Sequence, residues 1–261
     1  MIRQILHLQR NQPGQDENLT VAEGLWAHQA LLLTEAVRIP VFLWCPEALR
    51  GPEAVAVAER ISGRAEQVYQ VSARTLERLA DRDKPDGLVS IIAMPQWRPE
   101  DVELGDSALV LVADGIEQPG NLGTLVRTLD ACGADCLILT NARTKPTNTK
   151  VFRASHGAIL RIRTLTFGRT TEAIQWLDDQ AFQVYLADTE GSARYSDVTY
   201  HRRTALVMGN ERYGIRQNWY RDDALRVHIP MLGLTDSLNV SISAAVLLYE
   251  VRSQLNGWRL G

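Results

Sequence analysis

Three short blocks in the second half of the chain hold residues able to do chemistry. The first, Asp114 to Thr128, reads Asp-Gly-Ile-Glu-Gln-Pro-Gly-Asn-Leu-Gly-Thr-Leu-Val-Arg-Thr. An apolar run feeds a glycine-containing loop and then a helix, which aims backbone N–H groups at an anion. The spacing is not G-x-G-x-x-G and there is no Walker A sequence, so nicotinamide and P-loop chemistry have little support. Arg127 falls about 140° around the helix from Leu122, clear of the apolar stripe, free to enter a cleft or to make a surface salt bridge. The second block is Leu206 to Ile215. Its apolar run ends in Gly209-Asn210-Glu211, which sets a carboxylate at the carboxyl edge of a sheet, where α/β proteins take ligands. Gly209 admits close backbone approach. Alone, this block is also an ordinary turn. The third block, Ile229 to Ala245, is a strand end, a turn with Gly233, and a helix whose first turn holds Ser237, Asn239 and Ser241. Ser237 could simply be an N-cap. Asn239 is a poor helix former that capping by Ser237 does not need.

The elements that must position these blocks alternate between helix and strand. In the first part, Leu19 to Leu33 has a helical rhythm, Pro40 to Trp44 and Gln67 to Val71 are strand-like, Glu53 to Arg60 and Ser72 to Leu79 helical, and Leu88 to Ala93 is a further strand. Met94 to Asp106 carries Pro95, Pro99 and several acids without hydrophobic periodicity and is read as a linker. Beyond it, strands are expected at Ala108–Ala113, Cys136–Thr140, Ala158–Ile162, Gln183–Ala187, Ala205–Met208 and Val227–Pro230. Helices are expected at Asn121–Cys132, Thr171–Asp179 and Ser237–Leu255. The expected organisation is an N-terminal α/β domain over 1–95, a linker over 96–106, and an α/β domain with a parallel sheet over 107–261.

The composition is that of an ordinary globular protein: 45% hydrophobic and 23% charged in 261 residues. No apolar run is long enough to span a bilayer. Met1-Ile2-Arg3-Gln4 does not open a secretory signal. Cys45, Cys132 and Cys136 form no Cys-x-x-Cys pair, so buried thiols in a reducing cytoplasm are expected, with no zinc cluster or other metal site. The net charge of −3 does not favour nucleic acid, but its distribution does. Residues 136–171 contain no acid and carry Arg143, Lys145, Lys150, Arg153, Arg161, Arg163 and Arg169, a one-sign stretch suited to a phosphate backbone.

Taken together, Asn121-Leu-Gly-x-x-x-Arg127-Thr, Gly209-Asn-Glu-Arg-x-Gly214 and Ile229-Pro-Met-x-Gly-x-x-x-Ser237-Leu-Asn-Val-Ser241 resemble the three ordered motifs of the SpoU/TrmH family of RNA ribose 2′-O-methyltransferases, in the SPOUT class. Arg153-Ala-Ser-His-Gly-Ala158 resembles that family's Ser-x-Gly-Ala segment. Val21-Ala-Glu-Gly24 and Gly87-Leu-Val89 are similar, more weakly, to a ribosomal-protein-like substrate-binding domain found in longer members. Pro119-Gly120 departs from the Asp-Pro-x-Asn or Asn-x-x-Asn of many relatives, which leaves the outer loop contact open.

The resemblance implies a deep trefoil knot, an exception to the no-knot rule. It implies bound S-adenosylmethionine held by Gly209, Ile229, Met231 and Leu238, and an obligate homodimer in which Asn121 and Arg127 of one subunit serve the cofactor of the other. It assigns the reaction to Arg127, with Asn121, Glu211, Ser237 and Asn239 at further family positions. Arg143, Lys145, Lys150, Arg153 and Arg163 are the expected RNA contacts. A separate N-terminal domain favours ribosomal RNA, 23S in particular, over transfer RNA, and the expected location is the cytoplasm. A transfer-RNA methyltransferase and a non-catalytic RNA-binding relative are the alternatives. The latter would be expected to lack Arg127 or Asn239, and both are present.

Overall fold

The computed structural model of the protein describes residues 1–10, 18–80 and 85–258. In chain order the elements are α1 (Ile2–Gln9), β1 (Leu19–Glu23), α2 (Leu25–Leu32), β2 (Val41–Trp44), α3 (Gly51–Ser62), β3 (Gln67–Gln70), α4 (Ala73–Leu79) and β4 (Leu88–Ala93). There follow β5 (Ala108–Asp114), α5 (Pro119–Cys132), β6 (Cys136–Thr140), α6 (Thr149–Ala154), β7 (Arg163–Phe167), α7 (Thr170–Asp179) and β8 (Gln183–Ala187). The chain closes with β9 (Ala193–Arg194), β10 (Arg203–Met208), β11 (Leu225–His228) and α8 (Val240–Leu255). Two compact units result, Met1–Pro95 with Pro146–Arg161, and Gln96–Lys145 with Ile162–Gly261. The second unit is therefore not the continuous stretch 107–261 that the sequence suggested. Residues 146–161 lie with the first unit because α6 packs on β1 and Phe152 stacks on Trp26 with ring centroids 5.7 Å apart.

The first unit is built on a mixed sheet in the order β1-β4-β2-β3, with β4 antiparallel to both β1 and β2, and β3 parallel to β2. Ile5, Val21, Leu43, Leu76, Leu79 and Ile91 close one core cluster. The helical rhythm read over Leu19–Leu33 is half wrong. Leu19–Glu23 is a strand zipped to β4, because Gly24, at φ 91°, turns the chain sharply and donates its N–H to Leu88 O before α2 begins. Four of the five β1 residues are buried, the continuous pattern of a covered strand that short apolar runs share with helices.

The second unit is a seven-stranded sheet, parallel throughout, in the order β7-β6-β5-β10-β8-β11-β9. All seven residues of β5 and all five of β6 are buried, as strands covered on both faces must be. Val110, Val112, Ile138 and Val207 meet Trp176 and Leu177 of α7 on one face, while α5 and α8 pack on each other and on the sheet.

Three boundaries move here. The expected strand at Ala158–Ile162 is a 3-10 turn over Ala158–Leu160, because His156 and Gly157, at φ 51° and 75°, reverse the chain and Gly157 O accepts from Leu160 N. The strand starts at Arg163. β11 runs over Leu225–His228, so Ile229 and Pro230 lie beyond it. Helix α8 begins at Val240, so Ser237 is outside it and Asn239 is the N-cap. Among the described residues no helix is long and apolar enough to cross a membrane.

Candidate active site

The carboxyl ends of β8, β10 and β11 and the start of α8 enclose a cavity of about 470 Å³ in the second unit. Its apolar wall includes Met208, Ile215, Val227, Ile229, Met231 and Leu238, and its polar groups include Asp188, Thr189, Glu211, Asn239 and Ser243. The four residues assigned to cofactor binding, Gly209, Ile229, Met231 and Leu238, thus line one space, together with Glu211, Ser237 and Asn239.

The wall that follows β10 is held rigidly. Asn210 and Gly214 exchange two backbone hydrogen bonds of 3.0 and 2.9 Å. Asn210 Oδ1 accepts from the N–H groups of Arg212 and Tyr213, and its Nδ2 donates to Gly115 O at 2.7 Å, which ties this loop to the one after β5. A Cβ on Gly209 would sit 2.3 Å from the Gly214 carbonyl carbon and 2.4 Å from Ile215 N. The close backbone approach that Gly209 permits is to the chain's own loop. Beneath, the buried Asp114 carboxylate accepts from Thr140 Oγ1, Asn141 Nδ2 and Arg216 N, joining three loops at one anion.

Three of the residues named for chemistry meet directly. Asn121 Nδ2 donates to Glu211 Oε1 at 2.8 Å, and Asn239 Nδ2 donates to Asn121 Oδ1 at 3.1 Å. Asn239 Oδ1 accepts from Ser241 N at 2.9 Å, and Ser241 Oγ donates to Asn121 O at 3.1 Å. The carboxylate of Glu211 is thereby fixed by an amide that is itself fixed by the cap of α8. The Asn121 side chain is thus engaged within its own chain. Ser237 does not join the chain of bonds. It is exposed, and its hydroxyl lies 3.4 Å from Asp236 Oδ1.

Arg127 is exposed on α5 and is not among the residues lining the cavity. The five RNA candidates divide between the units. Lys150 and Arg153 belong to the first, and Arg143, Lys145 and Arg163 to the second. Arg163 is half-buried on the edge strand β7, its guanidinium 6.0 Å from the centre of the Trp97 ring, so part of its surface is spent on packing.

The blocks read from sequence did not single out the β8 edge. There Asp188 Oδ2 accepts from Tyr220 Oη at 3.0 Å and Arg226 Nε at 2.9 Å, and Oδ1 accepts from Glu190 N. Burial, reinforced by the Asp188 carboxylate, pushes the Tyr220 phenol above its ordinary range. The only sequence signal was an apolar strand ending in Ala-Asp-Thr. Among the described residues no cluster of His, Cys, Asp and Glu is arranged to hold a metal ion.

Residues 108–249, just over half the chain, match the SpoU rRNA Methylase family. The chain is 27% identical over 186 residues to the 23S rRNA (guanosine(2553)-2′-O)-methyltransferase RlmP of Bacillus subtilis, covering 71% of this chain and 73% of that one. An S-adenosylmethionine-bound rRNA methyltransferase from Sinorhizobium meliloti superposes with a TM-score of 0.83 at 27% identity, covering 97% of this chain and 94% of the other. An RNA 2′-O ribose methyltransferase superposes with a TM-score of 0.79 at 30% identity, covering 96% and 95%.

Proposed function

The chain belongs to the SpoU rRNA methylase family, whose members are S-adenosylmethionine-dependent RNA methyltransferases, and from that premise we propose that its acceptor is a ribose 2′-hydroxyl of cytoplasmic 23S ribosomal RNA. The observation that carries this reading is the meeting of the second and third motifs in the walls of one cavity, with Asn121 of the first bonded to Glu211 and Asn239 at its rim.

The cavity suits the cofactor chemically. It pairs an apolar slot beside Ile229, Met231 and Leu238 with backbone and side-chain polar groups at Gly209, Asn210 and Thr189, as a nucleoside joined to an amino acid requires. When bound, S-adenosylmethionine supplies an electrophilic methyl group on a sulfonium. The protein supplies position and charge. Glu211, bonded to Asn121, and Asn239, a helix cap, present polar atoms oriented by these bonds, and orientation of reacting groups lowers such a barrier by roughly 7 kcal/mol or more. Arg127 cannot serve as a base, because its guanidinium stays protonated. Its part is to grip the phosphate beside the target sugar and stabilise negative charge growing on the 2′-oxygen as the proton departs to solvent.

Arg127 is exposed and off the wall of its own cavity, so the proposal has it act on the cavity of a second copy, in a homodimer. An exposed stripe on α8, Ile242 and Tyr249 with Leu238 just ahead of the helix, gives such a copy an apolar surface to cover. The trefoil threading of the carboxy-terminal segment belongs to the proposal too. Arg143 and Lys145 in the second unit, and separately Lys150 and Arg153 in the first, are the proposed RNA contacts, with Ser237 at the cavity mouth.

Incubation of unmodified 23S rRNA and tRNA transcripts with isotopically labelled S-adenosylmethionine tests the reading. Label should enter 23S rRNA and remain after alkaline hydrolysis in a resistant dinucleotide, since a methylated 2′-oxygen cannot attack the neighbouring phosphate. Label confined to a base, or found only in tRNA, would refute the stated acceptor.

A further inference from the structure

The loop that carries Glu211 also presents a largely exposed aromatic ring. Tyr213 is 75% exposed, and among the described residues its hydroxyl has no partner. Exposure of so large an apolar surface on a flexible tip would mean little. This tip is not flexible in construction. The Asn210–Gly214 bridge closes it, Asn210 Oδ1 holds the Tyr213 N–H at 3.0 Å, Gly214 turns at φ 68°, and Gly209 lets the two arms of the loop touch. Glu211 and Gly214, on either side of Tyr213, line the cavity, whereas Arg212 and Tyr213 do not, so the ring stands outside the cavity that its neighbours wall. The Arg212 guanidinium lies 5.9 Å from the ring centre, within range of a cation–π contact and beside a surface open to a phosphate.

We infer that Tyr213 is a stacking platform for an unpaired nucleobase of the RNA, at or next to the methylated nucleotide, with Arg212 facing the adjoining phosphate. The inference rests on the proposed function. Unpaired nucleotides, whose bases splay out of the stack, are the part of an RNA that side chains recognise most readily. An aromatic face held beside the cavity restores the lost stacking whatever the base. A rigid loop keeps that face ready without ordering entropy at the moment of binding.

Full-length Tyr213→Ala, Tyr213→Leu and Tyr213→Phe proteins separate stacking from bulk. The measurements are affinity for unmodified 23S rRNA and tRNA transcripts by filter binding, affinity for S-adenosylmethionine by calorimetry, melting temperature and oligomeric state. Tyr213→Ala and Tyr213→Leu should each weaken RNA binding about tenfold, Tyr213→Phe should match the wild type, and cofactor affinity and melting should not move. Equal RNA affinity across the series, a leucine as good as phenylalanine, an altered oligomeric state, or a wild-type protein that binds neither RNA would overturn the inference. Should the wild type bind RNA yet transfer no methyl group, the proposed function fails, and the affinity series still decides the role of Tyr213.

Discussion

Asn239 does two jobs with one side chain. Its Oδ1 caps α8 through Ser241 N, and its Nδ2 holds Asn121, which in turn holds Glu211. The two roles come apart chemically, because an aspartate caps a helix as well as an asparagine but has no N–H to give. Asn239→Asp should therefore keep the melting temperature of the wild type while kcat falls roughly tenfold through loss of one ordering hydrogen bond. Asn239→Ala should lose the rate and about 1 kcal/mol of stability as well. A rate unchanged in Asn239→Asp would remove the Asn239–Asn121–Glu211 chain from the mechanism. Ser237, whose hydroxyl bonds to its neighbour Asp236, is expected to tolerate alanine with little change in melting. Sequence alone offered both side chains in the first turn of a helix and considered only the serine as a cap. The three-residue difference in where α8 begins is what reversed that choice.

At the scale of elements, α2 is fastened to the first unit's sheet by a histidine that the sequence did not flag. His28 is fully buried. Its Nδ1 lies 2.7 Å from Gly24 O, its Nε2 lies 2.9 Å from Ser90 Oγ on β4, and its ring packs on Phe42. Burial drives its pKa down to about 4, so the folded protein keeps it neutral where the unfolded chain would protonate it. Stability present above pH 6.5 should be lost as pH falls toward 4, by on the order of 3 kcal/mol when the fall is complete. Urea unfolding of wild type and His28→Gln at pH 7 and pH 4.5 checks this. The wild type should lose several tenfold in folding equilibrium constant relative to the variant, and parallel losses would contradict it. Most elements of the second unit were legible, because long covered strands alternating with amphipathic helices leave a strong pattern, as in β5, α5 and β6. The failures came where a backbone turn decides the element. Gly24 cuts an apparently helical run into strand and helix, and His156 with Gly157 converts an apolar run into a 3-10 turn. Periodicity carries no information about φ. The two short helices α1 and α6 also went unread, α1 in spite of its amphipathic spacing.

On the scale of the whole molecule, the account requires two chains. The family resemblance assigned Arg127, Glu211 and Asn239 to one reaction with Arg127 given across subunits, and the fold leaves Arg127 exposed on α5, off the wall of its own cavity. Helical spacing alone left both a cleft and a surface salt bridge open for Arg127, because a residue used across a twofold axis is written like any surface arginine. The exposed Ile242 and Tyr249 should be covered in solution, and the protein should sediment as a dimer. The decisive measurement mixes two inactive proteins, refolded together so that subunits exchange. One carries Arg127→Ala. The other carries Ser243→Trp, which fills its own cavity and excludes the cofactor. In the mixed dimer the intact cavity of the first receives the intact arginine of the second, so methyl transfer to 23S rRNA should return to roughly a quarter of the wild-type rate, from half the dimers with one working site each. A mixture as inactive as its components would show that Arg127 serves its own chain or none, and would contradict the shared site.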